Sequence, residues 1–466
     1  MKRFLVFLSL SLFLFSALNA TSKEKSGTGI SPTLLQEIEG SFRMERTDRL
    51  VSNILAEMED GKVTVDREKL LSLDPYFSFK LERHAITNQQ STGRCWMFAG
   101  LNILRDRAAK TLGMKDIEFS QSYLFFYDKL EKANLFLEGV IKYRAKPLED
   151  RYVEFLFREP VGDGGQWVGV AELVKKYGLV PGDVMPDTFN ASHSRGIGRA
   201  INLKLKEYAL KIRNPKTSAA DLPKIKSAAL KDVYKILVLN LGVPPKSFQW
   251  RYEDKDGKLT VSKKYTPLEF AKEAIGDTLD NYYVFYSIPT RPFGKLYTID
   301  MDKAVADRPS MVFLNLPIET LKEMAAKSVK DKEPVWFGAD VGQDGLGDKG
   351  IWMPEAHNLE SLYGMPFKLS RKELFETNST LPTHAMVFVG LDEQNGKIGK
   401  WLVENSWGTK AGKDGYYTIT DDWFDLFIQA VVINKKYVSP EVLKLFSTEP
   451  TVIPPWDPMY KSFTNN

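Results

Sequence analysis

The chain has 466 residues, 43% hydrophobic and 12% aromatic, enough to bury a large core in more than one domain and too much for a tail or linker protein. Its formal charge of +4 selects no class of partner, and its single cysteine excludes an intramolecular disulfide. No His-Glu-x-x-His or paired-cysteine motif occurs, so metalloenzyme classes lack ligands and no cofactor is expected.

In chain order, the first element is an export signal over residues 1–20. Lys2-Arg3 precedes an apolar run from Phe4 to Ala17, and Ala17-Leu18-Asn19-Ala20 supplies small residues for cleavage after Ala20. The run is too short for a membrane anchor, and no cysteine stands at the cleavage point for a lipid. The mature chain, at +2 without Lys2 and Arg3, is therefore expected in the bacterial periplasm or, failing that, secreted. Residues 21–64 combine a polar stretch, Thr21 to Gly29, with helical spacing from Ile30 to Glu59 (Leu34, Leu35, Ile38, Phe42) and a second helix over Val51 to Met58. Residues 65–193 read as a helical half. There a helix is predicted from Cys95 to Leu112, with apolar Trp96, Ala99, Ile103, Leu104 and Ala108, no proline, and Gly113 just past its end. Residues 194–328 read as a mainly helical insertion, with helices over Arg199 to Arg213, Ser227 to Leu241 and Leu268 to Ile275. Within it, Ile201 to Lys235 carries nine basic residues against three acidic. Without interleaved aromatics this is a solvated helical face, and nucleic acid is not an expected partner. Residues 329–438 are β-rich, with one strand headed by His384 and another running from Trp401 towards a turn at Gly408. Residues 439–466 form an arm stiffened by Pro454, Pro455 and Pro458.

The only cysteine sits in Gln89-Gln90-Ser91-Thr92-Gly93-Arg94-Cys95-Trp96. A thiol attacks as thiolate, favoured at a helix N-terminus beside an imidazolium. Gln89 lies where an extended Thr87-Asn88-Gln89 segment can aim its amide at a developing oxyanion, with the Cys95 backbone N–H as second donor. Antiparallel strands can set His384 beside Asn405, whose amide fixes the imidazole ring without adding charge, and Trp407 can shield that bond from water. His84, His193 and His357 have no partner motif and read as ordinary surface or core residues.

These segments, with Glu118-Phe119-Ser120-Gln121-Ser122-Tyr123, Gly162-Asp163-Gly164-Gly165-Gln166-Trp167, Pro334-Val335-Trp336-Phe337-Gly338 and Pro455-Trp456-Asp457-Pro458-Met459, resemble the papain-like cysteine peptidases, specifically the bleomycin hydrolase and aminopeptidase C branch. The resemblance spans roughly residues 65 to 460. It implies an α+β papain-like fold, a helical half with the cysteine and a β-barrel-like half with the histidine and asparagine. The 289 residues from Cys95 to His384, against about 130 to 150 in the papain-like pattern, place the insertion between them. The resemblance makes Cys95 the nucleophile, His384 the acid/base, Asn405 its orienter, Gln89 the oxyanion donor, and Gly164 and Gly165 the backbone beside which a substrate strand pairs. It implies peptide substrates, a homohexamer, and a C-terminal tail in the cleft that makes the enzyme an aminopeptidase. Two departures stand out: the export signal, and a longer, bulkier ending, Tyr460-Lys461-Ser462-Phe463-Thr464-Asn465-Asn466. An open-cleft endopeptidase and a catalytically idle ring that binds peptide or nucleic acid are the alternatives.

Overall fold

The computed structural model describes residues 28–457, which fall into two units divided between Val63 and Thr64. The expected leader, residues 1–20, and the last residues of the tail, 458–466, lie outside the described residues. Among the described residues no helix is long and apolar enough to cross a membrane.

In the first unit helices span Pro32–Ser41, Arg46–Glu57 and Asp60–Val63. Ser31 accepts the N–H of Leu34 at 3.1 Å, and Pro32 stands at a first-turn position where its missing N–H is harmless. Extended backbone at Phe42 ends that helix, and a capping box between Glu45 and Asp48 starts the next. The helical run is thus broken around residues 42–45, and the second helix begins earlier than its apolar spacing suggests.

In the second unit the helix Cys95–Leu112 has the predicted bounds. Gly113 closes it in the left-handed region, φ 66°, where a side chain would be strained. Fourteen of its eighteen residues are buried, so it is a core helix rather than an amphipathic surface one. It packs against the strand His384–Gln394 and the helix Trp167–Tyr177; at the second contact a Cβ on Gly100 would lie 2.6 Å from Val170, so glycine sets the approach. The helices Arg195–Arg213 and Leu222–Leu241 stack on Gln121–Lys142. Ile197, Ile201, Leu205, Ala209 and Ile212 face that contact from the first, Ala229, Val233, Leu237 and Leu241 from the second, at one residue per turn.

Among the described residues Phe248–Trp250 and Lys263–Tyr265 make a separate hairpin pair, and most strands form one large mixed sheet, with Phe79–Lys80 added beside His384–Gln394. In order it runs Thr451–Ile453, Lys295–Ile299, Val312–Asn315, Tyr282–Tyr286, Ile428–Asn434, Val335–Ala339, His384–Gln394, Lys397–Glu404, Tyr416–Thr420, Ile351–Trp352, Gly345–Leu346. The segment 194–328, read as mainly helical, also supplies strands that its local pattern did not announce. Tyr282–Tyr286, Lys295–Ile299 and Val312–Asn315, rich in aromatic and β-branched residues, belong to this sheet and join it to the histidine-bearing half through Ile428–Asn434.

Candidate active site

Three elements converge. The helix Cys95–Leu112 begins at Cys95. The strand His384–Gln394 begins at His384 and pairs antiparallel with Lys397–Glu404, which ends one residue before Asn405. The pairing of Val387 with Glu404 brings the two polar side chains to the same end of the ladder.

Asn405 Oδ1 accepts the backbone N–H of Ser406 at 2.7 Å and lies 2.8 Å from His384 Nε2. A carbonyl oxygen cannot donate, so Nε2 carries the proton and Nδ1 holds the lone pair in the neutral ring. Trp407 stacks on the imidazole at 4.7 Å between ring centres, 27° from parallel. Both His384 and Asn405 are buried.

The Cys95 sulfur faces backbone N–H groups of Ala385, Trp96 and Cys95 itself, which tie it to the histidine strand as well as to its own helix. Burial nevertheless dominates and pushes the thiol up to about 11. The same burial takes His384 down to about 4, against the hydrogen bond to Asn405. Burial thus disfavours the charged form of each group taken singly.

Gln89 is held on all sides. Its backbone N–H donates to Ser406 O at 2.8 Å, its Oε1 accepts the Ser406 hydroxyl at 2.8 Å, and its Nε2 donates to Thr92 O at 2.6 Å. Ser406 and Thr92 thus fix which end of the amide carries the protons, and the second Nε2 proton is left for another acceptor. The neighbouring Gln90 is left-handed, φ 54°, with its N–H donated to Asn88 Oδ1. Arg94, fully buried, anchors the same loop by donating to Asp187 Oδ2 at 2.8 Å.

Gly164 and Gly165 lie on the other side of this loop. A Cβ on Gly165 would come within 2.5 Å of the Trp96 ring, and Gly164 O accepts Lys132 Nζ at 2.6 Å. Beside the glycine pair is a cavity of about 210 Å³ lined by Trp96, Phe136, Leu156 and Val168 and by Pro455 and Trp456 of the C-terminal arm. The arm pairs parallel with Lys295–Ile299 through Thr451–Ile453; Trp456 then meets Tyr152 edge-on at 4.9 Å beneath the Arg151 guanidinium, and Asp457 ion-pairs with Arg291.

Sequence reasoning missed the residues that act at second hand. Ser406 was visible beside Asn405, but nothing in a linear motif pairs its hydroxyl with Gln89, 317 positions away. Asn102 and Arg105, about two and three turns along the Cys95 helix, donate to the buried Glu404 carboxylate at 2.7 and 2.8 Å and hold the strand end that precedes Asn405. His84 is not an ordinary core residue: its ring nitrogens lie 3.4 Å from Asp106 and 2.9 Å from Asp116, and these carboxylates raise it to about 9.

The Peptidase C1-like family model matches residues 29–460. Aminopeptidase C of Listeria monocytogenes is 37% identical over 419 residues, 89% of this chain and 95% of the relative. Bleomycin hydrolase of Mus musculus is 37% identical over 392 residues, 81% and 86% of the two chains. The crystal structure of PepW from Lactobacillus rhamnosis superposes with a TM-score of 0.90 at 37% identity, covering 93% of this chain and 99% of the other. With a cysteine at a helix start, a histidine–asparagine pair on adjacent strands and this match over nearly the whole length, the chain belongs to the Peptidase C1-like family.

Proposed function

We propose that this chain is a cysteine aminopeptidase of the aminopeptidase C and bleomycin hydrolase kind, and that Cys95, His384, Asn405 and Gln89 carry its chemistry. The observation that weighs most is the single buried constellation in which the Cys95 sulfur faces the Ala385 N–H while His384 is oriented by Asn405. As the sulfur attacks the scissile carbonyl carbon, its proton passes to His384 Nδ1 and a C–S bond forms. The carbonyl oxygen takes the negative charge, met by the free Nε2 proton of Gln89 and the Cys95 backbone N–H. The imidazolium then protonates the leaving amine, the C–N bond breaks, and a thioester remains. Water, losing a proton to His384, attacks that thioester and releases the acid and the thiol.

Removal of N-terminal residues, rather than internal cleavage, is supported by the arm. Pro455 and Trp456 line the cavity beside Gly164 and Gly165, the backbone proposed to pair with substrate, which puts the arm where it would limit the length of peptide upstream of the scissile bond. Export through residues 1–20 and assembly as a homohexamer belong to the same proposal; the leader's charge and apolar pattern support the first, the family resemblance the second. Edman sequencing of the exported protein and light scattering of the mature chain test them.

The deciding experiment compares hydrolysis of a free-amine aminoacyl fluorophore with its N-blocked peptide counterpart under reducing conditions, with Cys95→Ala as control. Turnover of the free-amine substrate alone is the expected result. Cleavage of the blocked peptide identifies an open-cleft endopeptidase, and no Cys95-dependent turnover of either leaves the binding ring.

A further inference from the structure

One carboxylate joins the loop that carries Gln89 and Cys95 to the loop that carries Gly164 and Gly165. Asp163 Oδ2 accepts the N–H of Gly93 at 3.2 Å and the hydroxyl of Ser194, while Oδ1 lies 2.5 Å from Lys129 Nζ. Its backbone carbonyl accepts Trp96 Nε1 at 2.8 Å. The loops meet so closely that a Cβ on Gly93 would lie 2.9 Å from Asp163 Cβ. The Lys129 side chain has no exposed surface and also donates to Gly162 O at 2.7 Å, so an ammonium that could not survive alone in the core is locked to Asp163. Burial by itself would raise this carboxyl; Lys129, the Ser194 hydroxyl and the Gly93 N–H hold it well below the ordinary carboxylate range. Gly93 stands four residues after Gln89 and two before Cys95, so fixing Gly93 fixes the span between the two groups that would meet a substrate carbonyl.

We propose that Asp163 is a positioning residue: it clamps the nucleophile loop to the glycine loop, so that thiol, oxyanion donor and substrate backbone are held as one rigid piece. This rests on the roles proposed above for Cys95 and Gln89. The clamp carries a signature that packing alone lacks, because the Asp163 charge also opposes thiolate formation at Cys95.

The test uses two double variants. Asp163→Leu with Lys129→Met removes the clamp without leaving a buried ammonium; Asp163→Asn with Lys129→Met restores an acceptor for the Gly93 N–H. For each, turnover of the aminoacyl fluorophore, inhibition by the matching aminoacyl aldehyde and alkylation of Cys95 by iodoacetamide are measured. The aldehyde adduct needs oxyanion donors, whereas alkylation needs only the thiolate. In the leucine pair kcat falls and the aldehyde inhibition constant rises by about ten-fold, part of the 10²–10³-fold that loss of an oxyanion donor costs. The asparagine pair recovers most of that loss, and in both pairs alkylation persists. Unchanged kcat and aldehyde inhibition in a folded leucine pair overturn the proposal, as does equal loss of all three readouts in both pairs. If the leucine pair does not fold, Ser194→Ala, which removes one donor to Asp163, carries the test: a smaller loss in the same two readouts supports the clamp and no change sinks it. Absence of turnover and aldehyde inhibition in the parent enzyme would instead remove the peptidase reading on which the clamp depends.

Discussion

In the proposed mechanism the Cys95 thiol becomes a nucleophile by passing its proton to His384, so the competent state would be the one in which the pair holds a single proton. Burial lowers His384 to about 4 and raises Cys95 to about 11, and the one-proton state persists between those values. The acid limb of kcat/KM is therefore expected near pH 4 rather than near the ordinary histidine value, read from a pH profile in constant-ionic-strength buffers; a limb at 6 to 7 would show an imidazole that water reaches. Gln89→Ala is expected to lower kcat by about 10²–10³-fold with little effect on unfolding by heat, since Ser406 and Thr92 can bond water in its place. His84 makes a prediction of the opposite kind, about stability alone. Asp106 first and Asp116 second raise it to about 9 from an unfolded value of 6.5, so its contribution is complete below 6.5 and is lost as pH rises through 9. After solvent screening this amounts to on the order of 1–2 kcal/mol, and His84→Gln should flatten the fall in melting temperature between pH 6.5 and 9. Cys95, His384, Asn405 and Gln89, which the structure brings to one region, could be singled out because each sits in its own short motif. Asp163, Ser406 and the pair around His84 could not, because their meaning lies in partners 20 to 320 positions away.

At the scale of elements, the helix beginning at Cys95 was legible to the residue because its stop signal is chemical: Gly113 takes a backbone conformation that other residues adopt only with strain. The strands between residues 282 and 315 were not. Runs such as Tyr-Tyr-Val-Phe-Tyr are buried or half-buried throughout and show no alternation, so periodicity cannot separate a central strand from a buried helical turn. What settles them as strands is pairing with Ile428–Asn434, a partner that local pattern cannot name. Glycines at element contacts make the sharpest test of packing. Gly165→Ala drives a methyl group to 2.5 Å from Trp96, on the ring that also bonds Asp163, and should destabilise the protein by about 1–3 kcal/mol in denaturant unfolding. Gly29→Ala, with nothing near the added methyl, should leave unfolding unchanged.

At the scale of the second unit, the arm borders the cavity beside Gly164 and Gly165. Trp456 is held by Tyr152 and Arg151, and Asp457 by Arg291. Trp456→Ala should loosen that hold and shift the enzyme from free-amine substrates towards N-blocked peptides, measured as the ratio of the two kcat/KM values; an unchanged ratio would mean the arm does not gate the cleft. The sheet's connectivity bears on when, rather than how, the enzyme acts. Cys95 is made in the first quarter of synthesis, but its histidine, its asparagine and the strand Ile428–Asn434 that bridges the sheet come in the last fifth. Until His384 is made, the thiol lacks the base proposed for it, although the strand Val335–Ala339 that will pair with the histidine strand is already present. Chain order thus acts as a delay: under the proposed mechanism a growing copy holds its thiol idle until the histidine and asparagine have joined it.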